Sequence, residues 1–164
     1  MSRGRIIALG CAILAAVVSS SAVAHEVKQT DMWSAPLDPS ASEAAKVVDA
    51  FHAALERGDT AAAAALLADD VLIFESGGAE RTKAEYLAQH LAADMQFAQS
   101  TKTVTTRRGG RGYGSAAWIA SEGRTTGTFR GKPINSVTTE TMVLAKREDR
   151  WKIAHIHWSS AAAR

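Results

Sequence analysis

Cysteine is almost absent from the sequence, and its single example, Cys11, lies in the only long apolar run. We expect that run to be removed with an amino-terminal leader. A mature chain without thiols can form no disulfide, thiolate metal site or cysteine nucleophile. About 140 residues would remain, which is enough for one domain with a hydrophobic core and too few for two.

The amino terminus has the pattern of a secretory leader. Arg3 and Arg5 precede an apolar run at residues 6–18, and the small residues Ala-Val-Ala follow. This order is typical of a signal peptide. The sequence therefore predicts a signal peptide at residues 1–24, a mature chain that begins at His25, and a periplasmic or secreted location. No other run approaches the roughly 18 apolar residues that a membrane-spanning helix needs.

Positive charge is not in excess once the leader is set aside. Two of the 19 basic residues lie in the leader, so 17 remain against 17 acidic residues. A net charge near zero does not indicate a surface for nucleic acid or an anionic membrane. Arg107, Arg108 and Arg111 form one local basic cluster, which we interpret as the solvated end of a hairpin.

The periodicity of the remaining chain changes from helical to alternating near residue 97. Before this point, apolar residues recur at helical spacing in a first helix that Ser42 would cap. After it, threonine-rich and apolar segments alternate with a period of two between glycine-containing turns. Helices followed by antiparallel strands predict an α+β domain whose curved sheet wraps a long helix. We place an extended arm at residues 25–42, the domain at 43–160 and a tail at 161–164.

A strand, a glycine turn and a helix gather unusual polar residues between positions 71 and 97. Glu75 ends an apolar strand face, where burial would raise its pKa toward that of a useful general base. Thr82 with Glu85 three residues later is a capping box, which predicts a helix start. Residues at four-residue spacing then share one helix face, namely Tyr86, His90 and Asp94. The segment predicts a pocket lined by an acid, an imidazole and a phenol.

Two histidines alternate in the last predicted strand. A regular alternation places His155 and His157 on one face with Ile153. If this face is concave, the histidines could meet Glu75 and His90 across the pocket, as ligands that borderline divalent metals accept. Alternatively, they hydrogen-bond neighbouring strands or pack at a dimer interface.

Three charged residues fall inside predicted strands. Glu122 and Arg124 share a face of one strand and are interpreted as an ion pair. Glu140 is assigned to a solvated or salt-bridged face, because a carboxylate that points inward without a partner is costly.

Three stretches of the chain resemble those of a known superfamily. They are FHAALERGD at residues 51–59, LLADDV at 66–71 and WKIAHIHWSS at 151–160. With the acid-bearing strand, they look like the nuclear transport factor 2-like superfamily, and most of all its SnoaL-like branch. That branch is similar to the association domain of calcium/calmodulin-dependent kinase II. The resemblance implies a cone-shaped α+β barrel with an internal pocket, and commonly a homodimer packed through the sheet.

The superfamily that the chain resembles includes ketosteroid isomerases, polyketide cyclases, dehydratases and scaffolding proteins, so the fold alone does not define a function. Ketosteroid isomerases combine an aspartate base with a tyrosine and a protonated acid. In this chain Tyr86 lies on the third predicted helix, whereas the first helix offers Phe51 and His52. Classical ketosteroid isomerisation is therefore not expected.

The residues and the resemblance together predict a small-molecule-binding protein of the SnoaL-like type that forms a homodimer. Glu75 or His90 would move a proton on the carbon beside a carbonyl group, and Tyr86 or His157 would stabilise the oxygen, so that the predicted catalytic residues are Glu75, His90 and Tyr86. The predicted ligand contacts are Phe74, Asp94, Met95, Trp118, His155 and His157. The expected partner is a small, partly apolar molecule, with no cofactor, metal ion, nucleic acid or membrane span. A pure binding module, a weak isomerase, cyclase or dehydratase, and a structural dimer with a vestigial pocket all fit these features.

Overall fold

The computed structural model describes residues 37–164, so the predicted signal peptide and most of the predicted arm lie outside the described residues. Helices α1 to α4 span Ser42–Arg57, Thr60–Leu66, Lys83–Gln89 and Leu91–Ser100, after a short 3₁₀ helix at Pro39–Ala41. Strands β1 to β6 span Leu67–Glu75, Gly78–Glu80, Thr101–Tyr113, Ala116–Phe129, Lys132–Arg147 and Arg150–Ala162. None of the helices within the described residues has the length and apolar character needed to cross a membrane.

All six strands belong to one sheet with the order β2-β1-β6-β5-β4-β3. Neighbouring strands are antiparallel except β1 and β6, which are parallel. Strands β3 to β6 follow one another through short turns and form a meander. The predicted α+β class with a curved, mostly antiparallel sheet is confirmed. Because the edge strands β2 and β3 do not pair with each other, the sheet stays open rather than closing into a barrel.

The hydrophobic core lies between α1 and one face of the sheet, which we call the inner face. Val48, Phe51 and Leu55 recur at helical spacing on α1 and are buried. Their counterparts from the central strands are Ile119, Met142, Leu144, Ile153 and Ile156. Each fully buried side chain of this size contributes about 1.5–3 kcal/mol. This contact holds α1 against the sheet and places its polar residues beside the cavities described below.

The start of α1 differs from the prediction. Ser42 is the first residue of the helix rather than its cap, because the preceding turn Pro39–Ala41 is itself helical. Asp38 caps that turn by accepting a hydrogen bond of 2.9 Å from the backbone N–H of Ser40. At the other end, Gly58 adopts a left-handed conformation with φ of 68°, which ends α1 at little steric cost.

The last residues of the predicted arm are docked onto the edge strand β3. The backbone N–H of Asp38 donates to the carbonyl oxygen of Gly110, and that of Gly112 donates to the Ser40 hydroxyl at 2.9 Å. A side chain at position 112 would lie 2.2 Å from the carbonyl oxygen of Ser40, so only glycine permits this approach. At the carboxyl end, β6 continues to Ala162, inside the predicted tail.

The helix predicted to run through residues 82–97 is divided into α3 and α4. His90 separates them, with φ of −117° and ψ of −34°. Its N–H donates to the carbonyl of Tyr86 at 3.0 Å, and its own carbonyl accepts from the N–H of Asp94 at 3.1 Å. The break therefore redirects the chain while the two segments remain connected by hydrogen bonds.

A bulge in β6 changes which side chains face the core. Ile153 pairs with Leu144 and His155 pairs with Val143, so Ala154 has no opposite residue. One unpaired residue reverses the alternation beyond it. Ile153 and Ile156 are both buried as a result. The prediction that His155 and His157 share a face with Ile153 is therefore wrong.

Candidate functional site

Two adjoining cavities lie between the helices and the sheet. The first, which we call the acidic cavity, has a volume of about 410 Å³. Its polar lining consists of Glu75, Ser76, Glu80, Tyr86, His90 and Asp94. The second, which we call the hydroxyl-lined cavity, has a volume of about 420 Å³ and is bordered by ten serine and threonine residues of β3 to β6. Glu75, Asp94 and Trp158 belong to the walls of both, so a ligand in one can contact groups of the other.

The acidic cavity contains a hydrogen-bonded phenol and an ion pair. The Tyr86 hydroxyl donates to Asp94 Oδ2 at 2.8 Å, joining α3 to α4 across their break. His90 Nδ1 forms an ion pair with Glu80 Oε1. Glu80 is only 5% exposed, and this partner offsets part of the cost of burying its charge. Within the described residues, no side-chain hydrogen bond engages the carboxylate of Glu75.

Burial changes the proton affinity of three groups in this cavity. Burial raises the pKa of Asp94 to about 6, and the nearby Glu75 adds to the effect, while the Tyr86 hydrogen bond opposes it. Burial likewise raises the pKa of Glu75, against the attraction of His90. Burial and the charge of Asp94 raise the pKa of Tyr86, so the phenol keeps its proton. The cavity thus holds two carboxyl groups with increased basicity beside a permanent donor.

The hydroxyl-lined cavity contains a second set of hydrogen-bonded residues, His52 of α1, Glu140 of β5 and Trp158 of β6. His52 Nε2 and Glu140 Oε2 are 2.7 Å apart. The same carboxylate oxygen accepts the indole N–H of Trp158 at 2.7 Å. The Glu140 side chain is 11% exposed, whereas that of His52 retains 41% exposure. Trp158 of β6 holds the carboxylate of Glu140, and this carboxylate in turn orients the imidazole of His52 on α1.

The charges of this pair stabilise each other. Burial would lower the pKa of His52, but the hydrogen bond and charge of Glu140 outweigh it and raise the pKa. Burial would raise the pKa of Glu140, but the hydrogen bonds from His52 and Trp158 hold that pKa below its ordinary value. Of the two alternatives that the sequence left open for Glu140, a solvated face and a salt-bridged one, the second describes it, because its largely buried carboxylate pairs with His52.

Two arginines also differ from the predictions. Arg108 is not a solvated hairpin residue: its Nη1 donates to Asp49 Oδ1 of α1 at 2.6 Å, and its Nε is buried without a partner among the described residues. Arg124 does not pair with Glu122, because its guanidinium donates twice to Asn135 Oδ1, at 3.1 and 2.8 Å.

Three predicted ligand contacts lie on the outer face of the sheet. Phe74 stands between Ile73 and Glu75, which line the acidic cavity, and so points the other way. Its ring packs edge-on against those of His155 and His157, with centroids 5.4 and 6.2 Å apart. His155 Nδ1 also lies 2.8 Å from the carbonyl oxygen of Leu72 on the neighbouring strand. These histidines therefore do not meet Glu75 and His90. His155 instead contacts the backbone of a neighbouring strand, which was the alternative considered from the sequence.

Two further predicted contacts line neither cavity. Met95 is 7% exposed and belongs to the hydrophobic core, where its sulfur accepts from the Thr60 hydroxyl at 3.7 Å. Trp118 alternates with the buried Ala117 and Ile119 and so faces away from the core. Asp94, Glu75, His90 and Tyr86 are the predicted residues that the structure brings together.

Sequence reasoning did not assign Glu80, His52, Glu140 or Trp158 to a site. For Glu140, the sequence did offer one indication. A carboxylate inside the long threonine-rich strand β5 needs a partner if it points inward, and this predicts a polar or charged neighbour. Within residues 37–164, no three or more histidine or acidic side chains are arranged to hold a metal ion.

Comparison with known proteins identifies a family and several solved structures that are similar to this chain. Residues 44–163 match the family model of the SnoaL-like domain. No curated protein matches the sequence at a significant level.

Several solved structures are similar to this chain. One from Shewanella frigidimarina, provisionally named a ketosteroid isomerase, is 37% identical, with a TM-score of 0.71 over 76% of this chain and 100% of that chain. One from Xanthomonas campestris, provisionally named a calcium/calmodulin dependent protein kinase II association domain, is 26% identical. Its TM-score is 0.65 over 77% of this chain and 93% of its own. A provisionally named dehydratase of the NTF2-like family from Streptomyces avermitilis is 19% identical, with a TM-score of 0.64 over 76% and 98% of the two chains, which shows the fold alone.

Proposed function

This chain belongs to the SnoaL-like family of the nuclear transport factor 2-like superfamily, and from that membership and its cavities we propose that it binds a small, partly apolar molecule and moves a proton on it. One observation carries the proposal. The carboxyl groups of Glu75 and Asp94 line one cavity with the phenol of Tyr86 and the imidazole of His90. A relative with 37% identity that is provisionally named a ketosteroid isomerase supports chemistry of this class.

Glu75 is the base in this proposal. Its carboxylate has no competing side-chain hydrogen bond among the described residues, and its raised pKa increases its affinity for a proton. It would take a proton from the carbon beside a carbonyl group, while the C–H electron pair forms a C=C bond to the carbonyl carbon and the π pair of the C=O bond moves onto the oxygen. Return of the proton to another carbon completes an isomerisation. The charge of Glu80 adds to the effect of burial on the pKa of Glu75. Asp94, held by Tyr86, is the second carboxyl group of raised pKa in the same cavity.

The test uses small cyclic ketones as probes. We expect the protein to convert a β,γ-unsaturated cyclohexenone to its conjugated isomer, followed by ultraviolet absorbance, and to exchange its α-hydrogens for deuterium, followed by NMR. Glu75→Gln should lower the turnover number by about 100-fold or more, because loss of a general base typically costs that much. Glu43→Gln is the matched control, since Glu43 is an exposed residue of α1 that pairs with Lys46.

Two results would contradict this proposal. Equal turnover by Glu75→Gln and the unaltered protein would exclude Glu75 as the base. A protein that binds no probe and exchanges no hydrogen, yet forms a stable dimer, would support the alternative of a structural dimer with a vestigial pocket.

We also propose that the protein is exported and acts as a periplasmic or secreted homodimer. The leader pattern of residues 1–24 supports export. An outward-facing row of the sheet, formed by Val104, Arg124 and Val137, exposes two large apolar side chains and supports pairing of two chains through the sheet. The likeness to a provisionally named association domain is in line with self-association.

A further inference from the structure

The imidazole of His52 is held from one side and open on the other. Its Nε2 contacts Glu140, and the indole N–H of Trp158 fixes the same carboxylate oxygen. No hydrogen bond within the described residues engages Nδ1, and the ring lines the hydroxyl-lined cavity. A histidine whose one nitrogen is occupied by a carboxylate has its tautomer and orientation defined, which leaves the other nitrogen for a ligand.

The charges around His52 make this end of the cavity a donor of hydrogen bonds. Burial opposes protonation of the ring and Arg108 on β3 does the same, but Glu140 on β5 and Asp49 on α1 favour it, so that the pKa of His52 is raised. In the imidazolium form Nδ1 carries a proton and can donate a hydrogen bond. Arg108 adds positive charge to the same wall, although its Nη1 is engaged by Asp49.

The two cavities together therefore have an acidic end and an end that contains His52. Glu75 and Asp94 form an acidic end, and their side chains also border the cavity that contains His52. Hydroxyl groups such as those of Thr103, Thr125 and Thr138 line the same cavity as His52, and they can both donate and accept. A molecule with an oxygen acceptor at one end and a removable proton nearby complements this arrangement.

We propose that His52 binds an oxygen atom of the ligand through Nδ1, and that the ligands are small, partly apolar molecules with a carbonyl or carboxylate group. His52 is thus a further catalytic residue, and Glu140 and Trp158 are the residues that position it. For the proton step this inference rests on the proposed function. Glu75 takes the proton, the C–H electron pair forms a C=C bond, the π pair of the C=O bond moves onto the oxygen, and His52 donates a hydrogen bond to that oxygen. The binding itself does not depend on that step.

The test uses three probes that share one aromatic ring, namely benzoate, benzamide and benzylamine. We expect benzoate and benzamide to bind and to shift the imidazole nitrogen signals of His52 in NMR spectra, whereas benzylamine should leave those signals unchanged. His52→Gln should weaken benzoate binding by at least about tenfold, because a charge-assisted hydrogen bond is lost. His157→Gln is the matched control, since this histidine lies on the outer face of the sheet.

A second variant separates positioning from folding. Glu140→Gln should lower the pKa of His52 and weaken benzoate binding at neutral pH, because the ring loses the carboxylate that favours its charge. Lowering the pH by about one unit should restore much of the binding, since the ring then becomes protonated without Glu140. A variant that had only lost structure would not recover in this way.

The outcomes distinguish this inference from the proposed function. Benzoate binding that depends on His52, without turnover of the cyclohexenone, would support the oxygen site and overturn the proton transfer. Turnover that depends on Glu75 but not on His52 would overturn the oxygen site alone. Absence of benzoate binding, or equal binding by His52→Gln, would also overturn it.

Discussion

Asp94 lines both cavities, and its partly buried carboxyl group makes the stability of the protein depend on pH. Its pKa is about 6 in the folded protein against an ordinary value of 3.8. The folded state therefore binds the proton of Asp94 more tightly than the unfolded state does. The resulting stabilisation is complete at a pH below 3.8 and is lost as the pH rises through about 6. We predict that Asp94→Asn raises the free energy of unfolding at pH 8 by about 2 kcal/mol, because the variant no longer buries a charge. Urea denaturation on both sides of this pKa measures the effect.

The control for this prediction is Glu43→Gln, which removes a negative charge from an exposed pair on α1. A surface pair of this kind is worth less than about 1 kcal/mol, so the variant should retain the pH dependence of the unaltered protein. An Asp94→Asn variant that is less stable at pH 8, or that keeps the same pH dependence, would show that burial of this charge is not costly.

At the scale of single elements, the short helix α3 depends on its cap. The Thr82 hydroxyl accepts from the N–H of Glu85 at 3.1 Å, whereas the Glu85 carboxylate accepts from the N–H of Arg81 at 2.7 Å, so the predicted capping box is only half formed. We predict that Thr82→Ala lowers the free energy of unfolding by about 1 kcal/mol, because a helix donor loses its partner. Urea denaturation at neutral pH measures this loss.

Thr82→Ser provides the matched control, since serine retains the hydroxyl that caps the helix. This variant should lie close to the unaltered protein in stability. Equal destabilisation by serine and alanine would assign the effect to the lost methyl group instead of the cap.

At the scale of the whole molecule, export and self-association can be tested together. We predict that the full-length chain, expressed with its leader, yields an exported protein that begins at His25 and has the native mass of a dimer. Native and denaturing mass spectrometry of the exported product measure both properties. Val137→Lys should shift the product toward monomer, because a charge on the outer face of the sheet opposes apolar pairing. A retained leader would contradict export, and a monomer at micromolar concentration would contradict the dimer.

The sequence by itself determined the order of the elements and one part of the site. Helical and alternating periodicities report which side chains can share a face, and this information is local. Tyr86, His90 and Asp94 follow at four-residue spacing, and they still line one cavity with Glu75 although the helix breaks at His90. Residues that are close in sequence remain neighbours when an element bends.

Only the tertiary structure decided the second part of the site. His52 and Glu140 are 88 positions apart, and no local pattern links them; packing of α1 on the inner face of the sheet brings them to 2.7 Å. The faces of β6 were likewise set by tertiary pairing, because leaving Ala154 unpaired turns Trp158 inward and His157 outward. A regular two-residue period cannot report such a bulge, since it arises from the register against β5 and not from the residues of β6 alone.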